Sequence, residues 1–263
     1  MTSWLTSPHE EFINVDALWS VRFLKEHANR YVFAARYVQD KVVLDVACGV
    51  GYGSYHLRRS ARKVVAGDVS AEALSSARDC FAAGIEYIRL DAQKLPFVDG
   101  AFEVICSFET IEHLQDHVRF LRECSRCLRP GGILLCSTPN KAVSSPGHSG
   151  TSSHFHTREF YPSELCELMG RYFPDFELFG QEEWWGQREF RLAKFASALK
   201  PIIGKLPGAQ YVINAVTRFT LKDYRLASLS TVGLDDLYDN RFTPVPVKIT
   251  TLAPFVIAVA RNQ

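Results

Sequence analysis

Residues 42–54 read VVLDVACGVGYGS. Val42, Val43, Leu44 and Val46 make a short apolar run, the pattern of a parallel strand covered on both faces. Gly49, Gly51 and Gly53 follow at every second position. Glycine there permits positive φ and lets a ligand come close to the main chain. Asp45 stands among apolar residues, where a carboxylate needs a partner. A strand, a glycine turn and the start of a helix form the nucleotide-binding corner of an α/β sheet.

The next strand supports this reading. Val64-Val65-Ala66-Gly67-Asp68 ends in an acid about 20 residues past the glycines, where a βαβ unit keeps its ribose-binding carboxylate. A dinucleotide fingerprint needs its third glycine at position 54, which is Ser54. The Gly-x-Gly-x-Gly spacing favours a ligand without a pyrophosphate and weighs against a nicotinamide-dependent oxidoreductase.

The totals set bounds. A chain of 263 residues suits one large domain, or one domain with an appended cap. At 47% hydrophobic it can bury a full core, and a net charge of +1 gives no basic field for nucleic acid. No apolar run approaches the ~20 residues of a membrane span. The N-terminus lacks a basic region and an apolar core, so no signal peptide is read. Seven cysteines without framework spacing fit a reducing, cytoplasmic setting. Cys124 and Cys127 form a C-x-x-C, but without a second pair they read as ordinary helix residues.

Outward from the first strand, strand and helix alternate. Ser70 reads as the N-cap of a helix ending near Gly84. Strands follow at 85–90, at 102–108 and at 133–138, with a helix over 116–128. Asp45, Asp68, Asp91 and Glu109 fall at or near strand carboxyl ends, where open sheets bind ligands. Residues 158–172 read as a helix, 176–180 as a sixth strand and 254–260 as a last one. The expected fold is a doubly wound, mostly parallel α/β sheet of seven strands. A helical leader would occupy 1–40, the cofactor-binding core 41–183 and 254–263, and a helical insertion 184–253 acting as lid or substrate wall. Some 70 residues are too many for a structureless connection.

In order and at the usual separations, DVACGVGYG, Asp68, LDAQKLPF, FETIEHL, LRPGG and STPN resemble class I S-adenosylmethionine-dependent methyltransferases. The first family glycine is Ala47 here. STPN, HFHTREFYPSEL and FELFGQ resemble a bacterial subgroup associated with glycan modification, and ETIEHL and STPN are similar to quinol O-methyltransferases. The resemblance implies S-adenosyl-L-methionine as cofactor and S-adenosyl-L-homocysteine as product. By position, Gly49 and Gly51 would approach its amino-acid part and Asp45 its ammonium. Asp68 would bind the ribose hydroxyls, Val69 would flank the adenine, and Asp91 with Ala92 would meet the adenine amine. Phe108 and Glu109 would lie near the methionine portion. Arg30 and Tyr31 are candidates for the wall over this site.

The expected reaction is in-line methyl transfer, with a small molecule, sugar or glycan hydroxyl as acceptor. A hydroxyl must lose its proton, and a positioned base contributes about 10²–10⁴-fold. The candidate bases are His113, His154 and His156. Trp184 and Trp185, at a segment junction, are candidates for the acceptor wall. No acid cluster resembles a magnesium site, so metal independence is expected. The alternatives are N-methylation of an amine and a non-catalytic cofactor-binding module. Oligomeric state, a homodimer included, is left open.

Overall fold

The structure is a computed structural model that describes residues 18–82, 84–147, 149–181, 243–248 and 253–263. Its strands are β1 (Val42–Val46), β2 (Lys63–Asp68), β3 (Ile85–Arg89), β4 (Phe102–Phe108), β5 (Leu128–Pro139), β6 (Asp175–Gln181), β7 (Val245–Pro246) and β8 (Phe255–Arg261). Its helices are α1 (Leu18–Ala34), α2 (Tyr52–Arg58), α3 (Ala71–Phe81), α4 (His117–Cys127), α5 (Lys141–Ser144) and α6 (Pro162–Gly170).

One sheet runs in the order β3-β2-β1-β4-β5-β8-β6-β7. The strands from β3 to β5 are parallel neighbours, while β8 pairs antiparallel with both β5 and β6. Sequence order reverses between β1 and β4, which places the switch-point crevice beyond their carboxyl ends.

The apolar runs are continuous because both faces are covered. Val43, Val64, Ala66, Val104, Cys106 and Leu135 join one buried cluster, with Ala28, Phe33, Leu57 and Leu74 from α1, α2 and α3. The residues between them, Leu44, Val65, Ile105 and Leu134, join the other. There they meet Phe120 and Leu121 of α4 and Leu165 and Met169 of α6. Period-two alternation thus feeds two cores. Each fully buried aliphatic side chain contributes about 1.5–3 kcal/mol relative to exposure.

Caps set the helix starts. The Ser70 hydroxyl accepts from the Ala73 amide at 3.1 Å, and the Asp116 carboxylate accepts from the Arg119 amide at 2.8 Å. All seven cysteines are free; Cys124 and Cys127 are buried on α4, as ordinary helix residues would be.

Two expectations need correction, the strand count and the start of the helix at 158. The sheet has eight described strands, because Val245 and Pro246, inside the segment expected to be helical, pair with Gly180 and Phe179 at the β6 edge. The last strand pairs antiparallel with both neighbours, in keeping with a sheet that is mostly, not wholly, parallel. The helix expected from Arg158 starts at Pro162. Residues just before it are held by other bonds: Thr157 and Arg158 donate their amides to the Glu112 carbonyl, at 2.8 and 3.2 Å. Proline at the first helical position also needs no amide partner there.

Candidate active site

The chain leaves β1 through Ala47 at φ 59°, then passes Gly49 at φ 55° and Gly51 at φ 84° before entering α2. A Cβ on Gly49 would meet no atom within 4 Å, so this bend borders open space. Gly53 serves packing instead, because a Cβ there would lie 2.1 Å from the Tyr31 ring.

Asp45 is fully buried beneath the turn. Ser54 donates to one of its oxygens at 2.6 Å and Tyr31 to the other at 3.2 Å. Burial pushes its carboxyl up to about 7, against the lowering effect of those two hydrogen bonds, and the nearby Asp68 adds to the rise. Asp68 closes the turn from β2, accepting from the Gly49 amide and the Ser70 amide, both at 2.9 Å. Each of its oxygens keeps a second lone pair for a ligand hydroxyl. Val69 is 64% exposed beside it. Asp91 accepts from the Gln93 amide at 2.8 Å, and Ala92 is buried next to it.

Arg30 comes in from α1 and is fully buried. Its Nε donates to Gln181 at 2.8 Å, and its guanidinium lies 4.3 Å from the Phe255 ring centroid. Its Nη1 stands 3.4 Å from Glu109 as an ion pair, yet neither terminal nitrogen has a hydrogen-bond partner. Buried charge with unmet donors is costly, so this geometry suits an incoming carboxylate. Tyr31 packs edge-on against Phe108 and Tyr52, at 5.0 and 5.8 Å between centroids. Glu109 has φ 51° just past β4 and accepts from the Ser137 hydroxyl at 2.7 Å.

A second group lies one turn further on. Residues Ile111–His113 form a short 3-10 turn that buries Glu112. Thr138 donates to Glu112 Oε2 at 3.1 Å, while Oε1 has no hydrogen-bond partner. Burial, then the charge of Glu109, holds the Glu112 carboxyl well above the usual carboxylate range. Thr157 stitches its loop to this turn, donating its hydroxyl to the carbonyls of Glu112 and Leu114 at 2.9 and 2.6 Å. That brings the His156 ring to 4.9 Å from the His113 ring, centroid to centroid. His113 Nδ1 lies 3.2 Å from the Phe155 carbonyl and His156 Nδ1 lies 2.8 Å from Glu159. Glu159 also accepts from the hydroxyls of Ser144, Ser145 and Ser152 and from the Ser152 amide. Burial raises its carboxyl, but the donors from Ser145, Ser152 and His156 outweigh this and hold it at about 2.

Of the expected bases, His113 and His156 come together. His154 stays exposed, its ring 3.8 Å from Phe155, outside the group formed with Glu112. Trp184 and Trp185 lie outside the described residues. The sequence reading missed Glu112 and Glu159 as site residues. FETIEHL carried Glu112 in plain view, but only the fold-back of 151–159 reveals Glu159.

A glycine turn lies at the switch point, with a buried acid beneath it, an acid closing it and a buried guanidinium beside it. The donors fit the cofactor: a carboxylate for an ammonium, unmet guanidinium donors for a carboxylate and open space at the turn. Residues 44–136 match the family model described as "Methyltransferase domain". Over these residues the chain resembles class I S-adenosylmethionine-dependent methyltransferases.

It is 39% identical over 127 residues to the Mycobacterium tuberculosis H37Rv protein named "Probable S-adenosylmethionine-dependent methyltransferase Rv3030", covering 48% of this chain and 46% of that one. It is 34% identical over 113 residues to the "Ubiquinone biosynthesis O-methyltransferase" of Parvibaculum lavamentivorans, covering 42% and 45%. The chain thus spans about half the length of the curated relatives it matches. Among solved structures, the [4+2]-cyclase SpnF is similar with a TM-score of 0.56 at 20% identity, covering 90% of this chain and 81% of that one. An Aquifex aeolicus SAM-dependent methyltransferase gives 0.50 at 18%, covering 64% and 88%. At these identities the likeness shows the fold alone.

Proposed function

We propose that this protein transfers a methyl group from S-adenosylmethionine to a hydroxyl of a small molecule, a sugar or a glycan. The observation that carries the hydroxyl reading is the close pair of His113 and His156, one turn beyond the cofactor-side residue Glu109. An amine acceptor need only arrive neutral, whereas a hydroxyl needs proton-accepting groups at the point of transfer. The O-methyltransferase name of one relative supports the same reading.

The sulfonium supplies an already electrophilic methyl group, so the chain's own residues mainly align, hold and exclude water. Asp45 binds the ammonium above the glycine turn formed around Gly49 and Gly51. Arg30 binds the carboxylate, with Glu109 and Phe108 lining the methionine end. Tyr31 fixes Asp45 and closes the wall. Asp68 takes the ribose hydroxyls, Val69 covers an adenine face and Asp91 with Ala92 meets its amine. Alignment of this kind is worth about 7–11 kcal/mol. Proton removal from the acceptor falls to the imidazole pair. His156 is the better base, because Glu159 fixes its Nδ1 proton and stabilises the imidazolium. His154 is left to acceptor contact.

Methyl transfer from labelled S-adenosylmethionine to a panel of sugar nucleotides, glycosides, phenols, quinols and amines tests this. Product on a hydroxyl is expected, and product on amines alone would overturn it. His156→Gln should lower turnover by about 10²–10⁴-fold with little change in S-adenosylhomocysteine affinity.

A further inference from the structure

We propose that Glu112, His113 and His156 form a binding site for a divalent cation of the Zn²⁺ type, which holds the acceptor hydroxyl. Each residue offers one ligand atom, and these atoms all lie within 4.8 Å of one another. No acidic run in the sequence announces this group. It arises because the loop bearing His156 is stitched by Thr157 onto the turn that bears the other two.

Three further observations point to a ligand. Glu112 is fully buried, and its Oε1 has no hydrogen-bond partner. A buried carboxylate oxygen left so costs free energy that a cation would recover. Both histidines have Nδ1 beside an oxygen that can only accept, the Phe155 carbonyl and the Glu159 carboxylate. Each Nδ1 therefore carries the proton, which leaves Nε2 as the basic nitrogen of both rings. Metal-ligating histidines have the same backing: a carbonyl or carboxylate fixes the tautomer and orients the ring. Thr138 does the equivalent for Glu112 by donating to Oε2. A histidine pair plus one carboxylate suits Zn²⁺ and its neighbours, while Mg²⁺ and Ca²⁺ favour oxygen ligands throughout.

The binding site stands on this geometry; its chemical role rests on the hydroxyl reading above. An alcohol or phenol oxygen binds the cation, and its proton is released to solvent as the cation lowers the hydroxyl's pKa. The oxygen then forms a bond to the methyl carbon as the carbon–sulfur bond breaks, and that electron pair stays on sulfur. In this state the two imidazoles are ligands, and the cation replaces His156 as the group that ionises the acceptor. A cation-assisted site departs from the expectation of metal independence, and the chelator measurement below decides between them.

The test uses the full chain, stripped with chelator and titrated with Co²⁺ alone, by calorimetry and visible absorption. One Co²⁺ per chain is expected, with a d–d band that Zn²⁺ displaces. His156→Ala and His113→Ala should each weaken binding by more than the roughly 10–100-fold typical of losing an outer-shell partner. S-adenosylhomocysteine binding should persist in both, reporting that the fold is intact. No binding of Co²⁺ or Zn²⁺ by wild-type protein that binds S-adenosylhomocysteine would overturn the site. So would binding that survives both substitutions. Full-rate hydroxyl methylation in chelator would remove the cation and leave the hydroxyl reading. A bound cation with methyl transfer only to amines would do the reverse.

Discussion

At the residue scale, an Asp45 that holds the cofactor's ammonium makes cofactor binding depend on pH. Its carboxyl is pushed up to about 7 by burial. An ammonium is bound by the carboxylate form, so affinity should hold above about pH 7. Below that it should weaken, approaching tenfold per pH unit as the carboxyl protonates. Calorimetric titration with S-adenosylhomocysteine across this range checks the slope. Asp45→Asn should bind weakly at every pH, without that inflection. Stability of the ligand-free protein should move the other way. The folded pKa lies above the unfolded one near 3.9, so folding takes up a proton between these values. This group's contribution is greatest below the unfolded value and is lost as pH rises to about 7, by up to about 1.4 kcal/mol per unit.

At the element scale, the loop between β5 and α6 is ordered by one side chain. Glu159 gathers donors from Ser144, Ser145, Ser152 and His156. Its folded pKa lies below the unfolded value, so its stabilisation is present above about pH 4 and is lost as pH falls toward 2. Glu159→Gln keeps one accepting oxygen where two served, and should cost roughly 1.5–3 kcal/mol at neutral pH. Hydrogen exchange at the Ser152 amide should accelerate in that variant, while amides of β1 and β4 stay protected. Unchanged exchange at Ser152 would remove Glu159 from this role. None of this could be read from HFHTREF, because the partners meet only after the loop folds back. The β-strands were legible for the opposite reason. Val42–Val46 and Phe102–Phe108 are buried along almost their whole length, so composition alone marks them. β7 escaped notice because it is two residues long and exposed, with no apolar period to detect. Ala47 shows the limit at single positions: the backbone adopts φ 59° there without the glycine that would have announced it.

At the scale of the whole molecule, the placing of Asp45, Asp68, Asp91 and Glu109 was legible because these acids sit at or near strand ends in the order that the sheet requires. The group of Glu112, His113 and His156 was not, since its members meet only after the loop at 151–159 folds back. No described helix is long and apolar enough to cross a membrane. The leader helix carries a further consequence. Arg30 of α1 reaches Gln181 of β6, Phe255 of β8 and Glu109 past β4, and Gln181 donates back to the Glu26 carbonyl at 2.9 Å. If the same guanidinium holds the cofactor's carboxylate, helix and cofactor are two guests of one host. Linkage then makes their effects reciprocal: whatever factor the docked helix adds to cofactor affinity, the cofactor adds to helix docking. Proteolytic cleavage within residues 18–34 should slow as S-adenosylhomocysteine is added, and Arg30→Ala should abolish that protection. A cell's ratio of S-adenosylmethionine to its demethylated product would then set how long this end of the protein survives, as well as how fast it works.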